Sequence, residues 1–544
     1  MLVTRAATYA EVYDQFRWHL PERYNIAWDV CDRHAEANRT ALIHHQLDGE
    51  VRSYGFGEIQ RAANQLANLF NSLGLVRGDR VLLLLPQHPL TAIAHVACWK
   101  AGLISVPTSV LFGVDGVEYR LNDSGARVAI SDGANVAKLV EAKATASALE
   151  QIFSIDGKAE GARDLLADMA RASDRFTSLA LTPDTPAFIN YTSGTTGWPK
   201  GTLQGHRSML GHMPGLEVLY DFFPQPADLL WSPADWSWLA GLMDVLMPAW
   251  FHGAPVLTFS MTGFDPERAV AMMGRHRVRN ALLTPSVLKL IRQVPDPIGR
   301  HGLDMRSIIS GSEAVGKDLL EEMSARLGVT INEGFGQTEC NVVLGNCSSL
   351  DHMRIGALGS ALPGHIAAIV DDDGNPLPPD TLGNIAFERP DPVMLLEYWR
   401  NPEATAAKFA GDWLLTGDLG VCDADGFFWF RGRADDVITS SGYRIGPAEI
   451  EDAIVRHPLV VQAAAIGVPD PQRTEVIKAF VVLAKGAAPS DALAEEIRVS
   501  VRDRLARHEY PRRIEFIDAL PMTNTGKIMR RALRDREQVQ EKSA

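Results

Sequence analysis

Short runs of continuous apolar residues, each followed by a segment of helical periodicity, recur along this chain and restrict it to one broad architecture. Arg80–Val81–Leu82–Leu83–Leu84–Leu85–Pro86 is such a run, ended by proline; Thr91–Gly102 then carries helical spacing and Leu103–Val106 returns to strand character. The same alternation recurs at Val128–Ser131, Pro255–Phe259 and Arg306–Ser310. A strand that is apolar on both faces must be covered on both, so the pattern predicts an α/β fold of mostly parallel sheets covered by helices. No solenoid-type repeat is present. With 544 residues, the chain exceeds what one core supports, so two or more domains are expected.

Composition shifts near residue 430. Phe427–Phe428–Trp429–Phe430 reads as a compact aromatic strand, followed by the polar run Arg431–Gly432–Arg433–Ala434–Asp435–Asp436. Beyond it lie a short α/β pattern and a basic helix over Lys527–Arg536. The expectation is a large N-terminal domain over 1–432, a hinge at 433–436 and a small α+β domain over 437–544.

Net charge is −14, which argues against the basic surface that nucleic acid or an anionic membrane would need. Any anionic ligand must be met by local positive groups. The apolar fraction of 46% and charged fraction of 22% are those of a soluble globular protein. Cys31, Cys98, Cys340, Cys347 and Cys422 are scattered and form no Cys-x-x-Cys pair, as for free thiols in a reducing cytoplasm. Cys340 reads as a packing residue rather than a nucleophile. The N-terminal stretch has no sustained apolar region and carries Glu11 and Asp14, unlike a secretory signal. The apolar stretch Leu239–Phe259 is broken by Asp244, Pro248, His252 and Pro255, so it reads as core, with no integral membrane segment expected.

The stretch Tyr191–Thr192–Ser193–Gly194–Thr195–Thr196–Gly197–Trp198–Pro199–Lys200–Gly201 is dense in glycine and hydroxyl residues around one lysine. Glycines let backbone N–H groups approach a ligand closely, successive N–H groups form an anion nest, and Lys200 adds a point charge suited to phosphate. The loop suits a polyphosphate. It is not a Walker loop, since Gly526–Lys527 is followed by Ile528, and no Rossmann Gly-x-Gly-x-x-Gly follows a strand.

Four further segments concentrate polar chemistry. In Asn332–Glu333–Gly334–Phe335–Gly336–Gln337–Thr338–Glu339, an aromatic ring between glycines could stack on a base and Glu339 could hold Mg²⁺ through a hard oxygen. Trp413–Leu414–Leu415–Thr416–Gly417–Asp418 reads as an apolar strand ending in a carboxylate, where α/β proteins bind ligands. Arg433 accompanies Ser440–Ser441–Gly442–Tyr443–Arg444–Ile445, and Pro521–Met522–Thr523–Asn524–Thr525–Gly526–Lys527 presents one lysine ahead of a helix.

Together these segments resemble the adenylate-forming superfamily of acyl-CoA synthetases, adenylation domains and luciferases. YTSGTTGWPKG, EGFGQTE, WLLTGD, FRGRADDVITSSGYRIGPAEIE and the terminal TGK stand in that family's order, from about residue 30 to 535. The C-terminal stretches are most similar to the medium-chain acyl-CoA synthetases. The resemblance implies two half-reactions: a carboxylic acid and ATP give acyl-AMP and pyrophosphate, then CoA displaces AMP to give acyl-CoA. It implies ATP, Mg²⁺ and CoA as cofactor and co-substrates. Thr192, Ser193, Gly194, Thr195, Thr196, Gly197 and Lys200 would hold the phosphates. Gly311, Ser312, Glu313, Glu333, Gly334, Phe335, Gly336 and Gln337 would form the adenine pocket and its rim. Thr338 would contact the α-phosphate, Glu339 would hold Mg²⁺, and Asp418 and Arg433 would bind ribose. Lys527 would bridge the acid and the α-phosphate. Asp435 would be the hinge about which the C-terminal domain rotates. Ser441, Gly442, Tyr443 and Arg473 would serve CoA, with Arg507, Arg512 and Arg513 as further cations.

The acyl pocket carries over least directly. Trp236, Gly336, Thr338 and Arg444 are its expected residues, with Trp231, Trp238, Leu239, Met243 and Met247 supplying apolar surface nearby. Gly336 stands where acetate-specific relatives resemble one another in carrying tryptophan, so a medium-chain, branched or aryl acid is expected rather than acetate. Asp235 raises the alternative of a stand-alone amino-acid- or aryl-acid-activating adenylation enzyme. A luciferase-like oxygenase and a degenerate nucleotide sensor are the other rivals. The sequence leaves monomer and homodimer both open.

Overall fold

Each apolar run singled out above is a strand in the computed structural model, which describes residues 1–544 except 38, 47–48, 193–198, 260, 262, 314, 435, 437, 441–442, 471–473, 505–509, 523–527 and 544. The chain divides into two units, Met1–Ala367 with Glu388–Phe409, and Ala368–Phe387 with Ala410–Ala544.

The first unit contains two large sheets. In one, Arg80–Leu84 pairs in parallel with both Ile104–Thr108 and Val128–Ser131. Pro186–Thr192, Lys200–Gly205 and Glu397–Tyr398 extend that sheet on one side. In the other, Leu230–Trp231, Asn280–Leu282, Ser307–Gly311 and Ile331–Gln337 run parallel side by side. Helices cover the strands. Pro89–Lys100 is buried along its whole length, as its all-round apolar sequence requires. Its one charge, Lys100, is ion-paired with Asp32. Among the described residues, no helix is long and apolar enough to cross a membrane.

The expectation of mostly parallel sheets holds for the centres of these two sheets and not for their edges. Val51–Gly55 pairs antiparallel with Thr40–His45, and Asn341–Gly345 with Ile331–Gln337, because short turns connect each pair.

The second unit has smaller, largely antiparallel sheets. Trp413–Cys422 pairs with Phe428–Arg433, and Val460–Asp470 with Thr474–Leu483, which Arg513–Phe516 joins in parallel. Helices Pro447–Val455 and Asp491–Arg504 help enclose a core that includes Ile438, Ile450, Ile454, Ile477 and Ile497. Two readings are corrected here. Asp418 does not end its strand but lies within it. Gly417, at φ 78°, and Thr416 Oγ1, accepting from the Asp418 N–H at 3.0 Å, accommodate a bend that the strand survives. The aromatic strand likewise continues through Arg431–Gly432–Arg433, so part of the polar run is strand.

Asp436, the last residue of that run, is buried rather than solvated. It accepts from Arg530 at 3.3 Å and Arg534 at 2.5 Å, both on the helix Arg530–Ser543, and Arg530 also pairs with Glu451 at 2.6 Å. Removing Arg530 would leave the Glu451 carboxylate without its ion pair and Asp436 with Arg534 alone. Arg530→Ala is expected to destabilise the second unit by about 3 kcal/mol in urea unfolding, and Arg531→Ala, on the exposed face, by less than about 1 kcal/mol.

Candidate active site

The hairpin Ile331–Gln337/Asn341–Gly345 is the centre of the site. Gln337 pairs with Asn341, so Thr338–Glu339–Cys340 forms the connecting turn. Asn341 sits at φ 46°, the left-handed residue that commonly closes a three-residue hairpin loop. The backbone passes so close that a Cβ on Gly336 would lie 1.6 Å from the Asn341 carbonyl oxygen. A side chain there would have to displace that carbonyl, so the hairpin's own backbone favours glycine at Gly336. Cys340 is fully buried, its thiol pushed up by burial, as a packing residue should be.

Glu339 is buried at 8% exposure and accepts from the Tyr398 hydroxyl at 2.5 Å. Its backbone carbonyl accepts from the Leu395 N–H at 2.8 Å. Gln204, on Lys200–Gly205, donates from Nε2 to the Thr338 carbonyl at 2.9 Å. The hairpin of one large sheet is thereby tied to the edge of the other. Lys200 pairs with Thr192 at the base of the glycine-rich loop, and its ammonium stands 5.3 Å from the centre of the Tyr398 ring. Tyr119 donates to the Pro199 carbonyl at 2.7 Å, fixing the loop's exit. Ser193, Gly194, Thr195, Thr196 and Gly197 lie outside the described residues.

Tyr398 was not singled out in the sequence. Its position comes from Glu397–Tyr398 pairing with Leu203 and Thr202, and from Thr405 Oγ1 accepting the Tyr398 N–H at 2.9 Å. The legible signal was the helix start that follows it, Asn401–Pro402, whose Asn401 side chain caps Ala404. Lys408 was also missed; its ammonium donates to Gln337 Oε1 at 2.6 Å.

The expected adenine-pocket residues share the C-terminal ends of two parallel strands, where open α/β sheets bind ligands. Gly311 is paired with Gly334, and a Cβ on Gly311 would meet the Gly334 carbonyl at 2.4 Å. Ser312 is exposed at φ 70°, Glu313 accepts from Ser286 Oγ at 2.9 Å, and Phe335 is half-buried. Glu333 is 8% exposed, and its Oε2 has no hydrogen-bond partner among the described residues. Burial pushes its carboxyl up to about 7, against the opposing N–H groups of Gly356 and Val315.

The acyl-pocket residues divide. Trp236 is 1% exposed and packed in the main core with Met243 and Met247, and Trp231 packs in a second cluster, stacked on Phe259. Trp236, one of the expected pocket residues, is thus packed within the main core. Trp238 remains partly exposed. Asp235 accepts from the Ser237 N–H at 2.9 Å, a local turn that occupies one carboxylate oxygen.

In the second unit, Asp418 and Arg433 face each other across paired strands, Nη1 to Oδ1 at 2.9 Å. Tyr443 and Arg444 belong to the strand Tyr443–Ile445. Arg512 stands 5.3 Å from the Tyr510 ring centre, and Arg513 opens the strand Arg513–Phe516. Asp435, Ser441, Gly442, Arg473, Arg507 and Lys527 lie outside the described residues.

Comparison with known proteins places these features in context. The family model described as AMP-binding enzyme matches residues 30–399, and that of the AMP-binding enzyme C-terminal domain matches residues 449–527. The human mitochondrial acyl-coenzyme A synthetase ACSM3 is 33% identical, over 98% of this chain and 92% of its own. An acetyl-coenzyme A synthetase of Bacillus subtilis is also 33% identical, over 97% and 94%. A benzoate CoA ligase from Burkholderia xenovorans superposes with a TM-score of 0.81 at 28% identity, covering 94% of this chain and 100% of its own.

Glu333 gives a pH test. Its carboxyl holds a proton up to about 7 in the folded chain and releases it near 4.5 when unfolded, so folding binds a proton in that window and stability falls as pH rises through it. Glu333→Gln removes this term. The pH–stability curve of the variant, measured by denaturant unfolding, is expected to be flatter between about pH 4.5 and 7, gaining up to about 3 kcal/mol relative to the parent.

Proposed function

The chain belongs to the AMP-binding enzyme family and is an acyl-CoA synthetase, an ATP-dependent acid–CoA ligase; on that premise we propose how its residues divide the two half-reactions. The observation that carries the reading is the grouping of Lys200, Tyr398 and Glu339, which sets a phosphate-suited cation by the ring of one tyrosine and a buried carboxylate at its hydroxyl.

In the first half-reaction the acid's carboxylate attacks the α-phosphorus of ATP and pyrophosphate leaves. Lys200 and the hydroxyls and N–H groups of residues 192–197 take the β- and γ-phosphates, offsetting charge on the leaving group. Thr338 donates to the α-phosphate, and Lys527 bridges that phosphate and the attacking carboxylate. Glu333 and Gly311–Ser312–Glu313 border the adenine, Phe335 stacks on it, and Asp418 with Arg433 binds the ribose hydroxyls.

The residues fit a magnesium ion held largely by substrate. Tyr398 occupies Oε1 of Glu339, and among the described residues Oε2 has no partner. No cluster of three or more acidic, histidine or cysteine ligands occurs among the described residues. That donor set suits Mg²⁺, which binds through one or two carboxylates plus phosphate oxygens, and the ion would neutralise phosphate charge. Tyr398 orients the carboxylate for it. For the second half-reaction the small domain rotates about Asp435, withdrawing Lys527 and presenting Gly442, with Ser441, Tyr443 and Arg473, to CoA.

The acid we propose is medium-chain, branched or aryl, in preference to acetate. Trp238, partly exposed ahead of the helix Leu239–Gly241, supports an apolar contact surface. The relatives include an acetyl-coenzyme A synthetase as well as a benzoate CoA ligase, so the acid panel must contain acetate. The test is pyrophosphate release across acetate, butyrate, hexanoate, octanoate, isobutyrate and benzoate, with and without CoA. CoA-stimulated turnover strongest with one of the larger acids is expected, and acetate as the best acid would overturn the substrate reading. Lys527→Ala is expected to slow adenylate formation at least about 100-fold while leaving thioester formation from supplied acyl-AMP within about threefold. Equal loss in both halves would remove Lys527 from the first.

A further inference from the structure

The helix Leu239–Gly241 passes into a π-helical turn, Leu242–Leu246, before resuming helix at Met247–Phe251. Such single π turns gather at functional sites. This one carries Asp244, a carboxyl 2% exposed among apolar neighbours. Burial pushes it up to about 7. Among the described residues its one side-chain partner is Asn341, whose Nδ2 donates to Oδ1 at 2.5 Å. Its backbone carbonyl accepts from the buried Tyr220 hydroxyl at 3.0 Å, which steadies the turn itself.

Asn341 is the residue that closes the turn bearing Thr338 and Glu339. It holds φ 46°, a conformation that costs a non-glycine residue of order 1 kcal/mol or more. Its carbonyl oxygen also fills the space beside Gly336. A buried carboxyl is costly to retain in an apolar setting unless it does something there. Here it bonds the side chain of the hairpin residue that stands left-handed, Asn341.

We infer that Asp244 is a positioning residue for the adenylation step: from the π-helical turn it tethers Asn341 in the left-handed conformation that closes the Thr338–Glu339–Cys340 turn, and so sets where Thr338 and Glu339 stand. The inference rests on the ligase reading above, in which those two residues face the α-phosphate and Mg²⁺. Asp244 touches no substrate in this account. Its effect passes wholly through the backbone of Asn341, and that makes it separable from a role in recognising the acid.

Glycine supplies the separation, because it adopts positive φ without a tether. Acid-dependent ATP–pyrophosphate exchange is measured as a function of Mg²⁺ for the full chain and its variants. Asp244→Ala is expected to lower exchange roughly 30-fold and to raise the Mg²⁺ requirement several-fold, as misplacement of reacting groups does, with the KM of the acid within about twofold. Adding Asn341→Gly to that variant is expected to restore exchange to within about threefold of the parent. Failure of glycine to restore a folded double variant, or a change confined to the acid's KM, would overturn the inference. Should Asp244→Ala not fold, Asn341→Ala decides: it is expected to lose activity where Asn341→Gly alone keeps it, and equal behaviour of the two would overturn the tether. A parent chain without acid-dependent exchange would instead overturn the ligase reading. Calorimetric Mg²⁺-dependent ATP binding to the same variants then judges the tether, with the same ranking expected and equal binding contradicting it.

Discussion

The hydrogen bond from the Tyr398 hydroxyl to Glu339 joins the two large sheets at the point where the chemistry is proposed to occur. Glu339 comes from the turn of a hairpin on one sheet, and Tyr398 from an edge strand added to the other. Two more bonds cross the same seam, Leu395 N–H to the Glu339 carbonyl and Gln204 to the Thr338 carbonyl. The phosphate-suited Lys200 begins the strand that Glu397–Tyr398 lies against. Cation and carboxylate are thus set by strand pairing on two rigid sheets, which holds a site more closely than free loops would.

Around that seam the backbone is unusually constrained. Gly336 and Gly311 have no room for a side chain, and Asn341 is held left-handed by a buried carboxyl. Glu333 and Asp244 are two buried carboxyls, both raised to about 7 by burial, and both within or bonded to this one hairpin. Buried acids under such shifts concentrate at functional sites, where a ligand or a strained backbone uses them. The deep core nearby contrasts with this. Trp236, Met243 and Met247 are buried in the main core cluster.

Much of this was legible in the sequence because it depends on local pattern. Apolar runs such as Val128–Ser131 are strands because a strand covered on both faces has no polar positions to mark. Lys200, Glu339, Asp418 and Arg433 were recognisable from motif order. The rest depends on contacts that spacing does not encode. Tyr398 acts on Glu339 across 59 residues of chain, and Asn341 on Asp244 across 97. Glycine is silent about what surrounds it, so the Asn341 carbonyl packed beside Gly336 is visible only in the folded hairpin. Asp418 looked like a strand end because Gly-Asp is a turn signal, and the strand absorbs the bend at Gly417 instead. Trp236 and Trp238 are two residues apart, and only packing separates the buried ring from the partly exposed one.

In the proposed site Tyr398 works by orienting Glu339 across the seam. A double-mutant cycle of Tyr398→Phe and Glu339→Gln, read as acid-dependent pyrophosphate exchange, tests it most directly. Tyr398→Phe is predicted to cost about tenfold with Glu339 present and less than about twofold with Gln in its place, a coupling of at least about 1 kcal/mol. Equal losses in both backgrounds would contradict it.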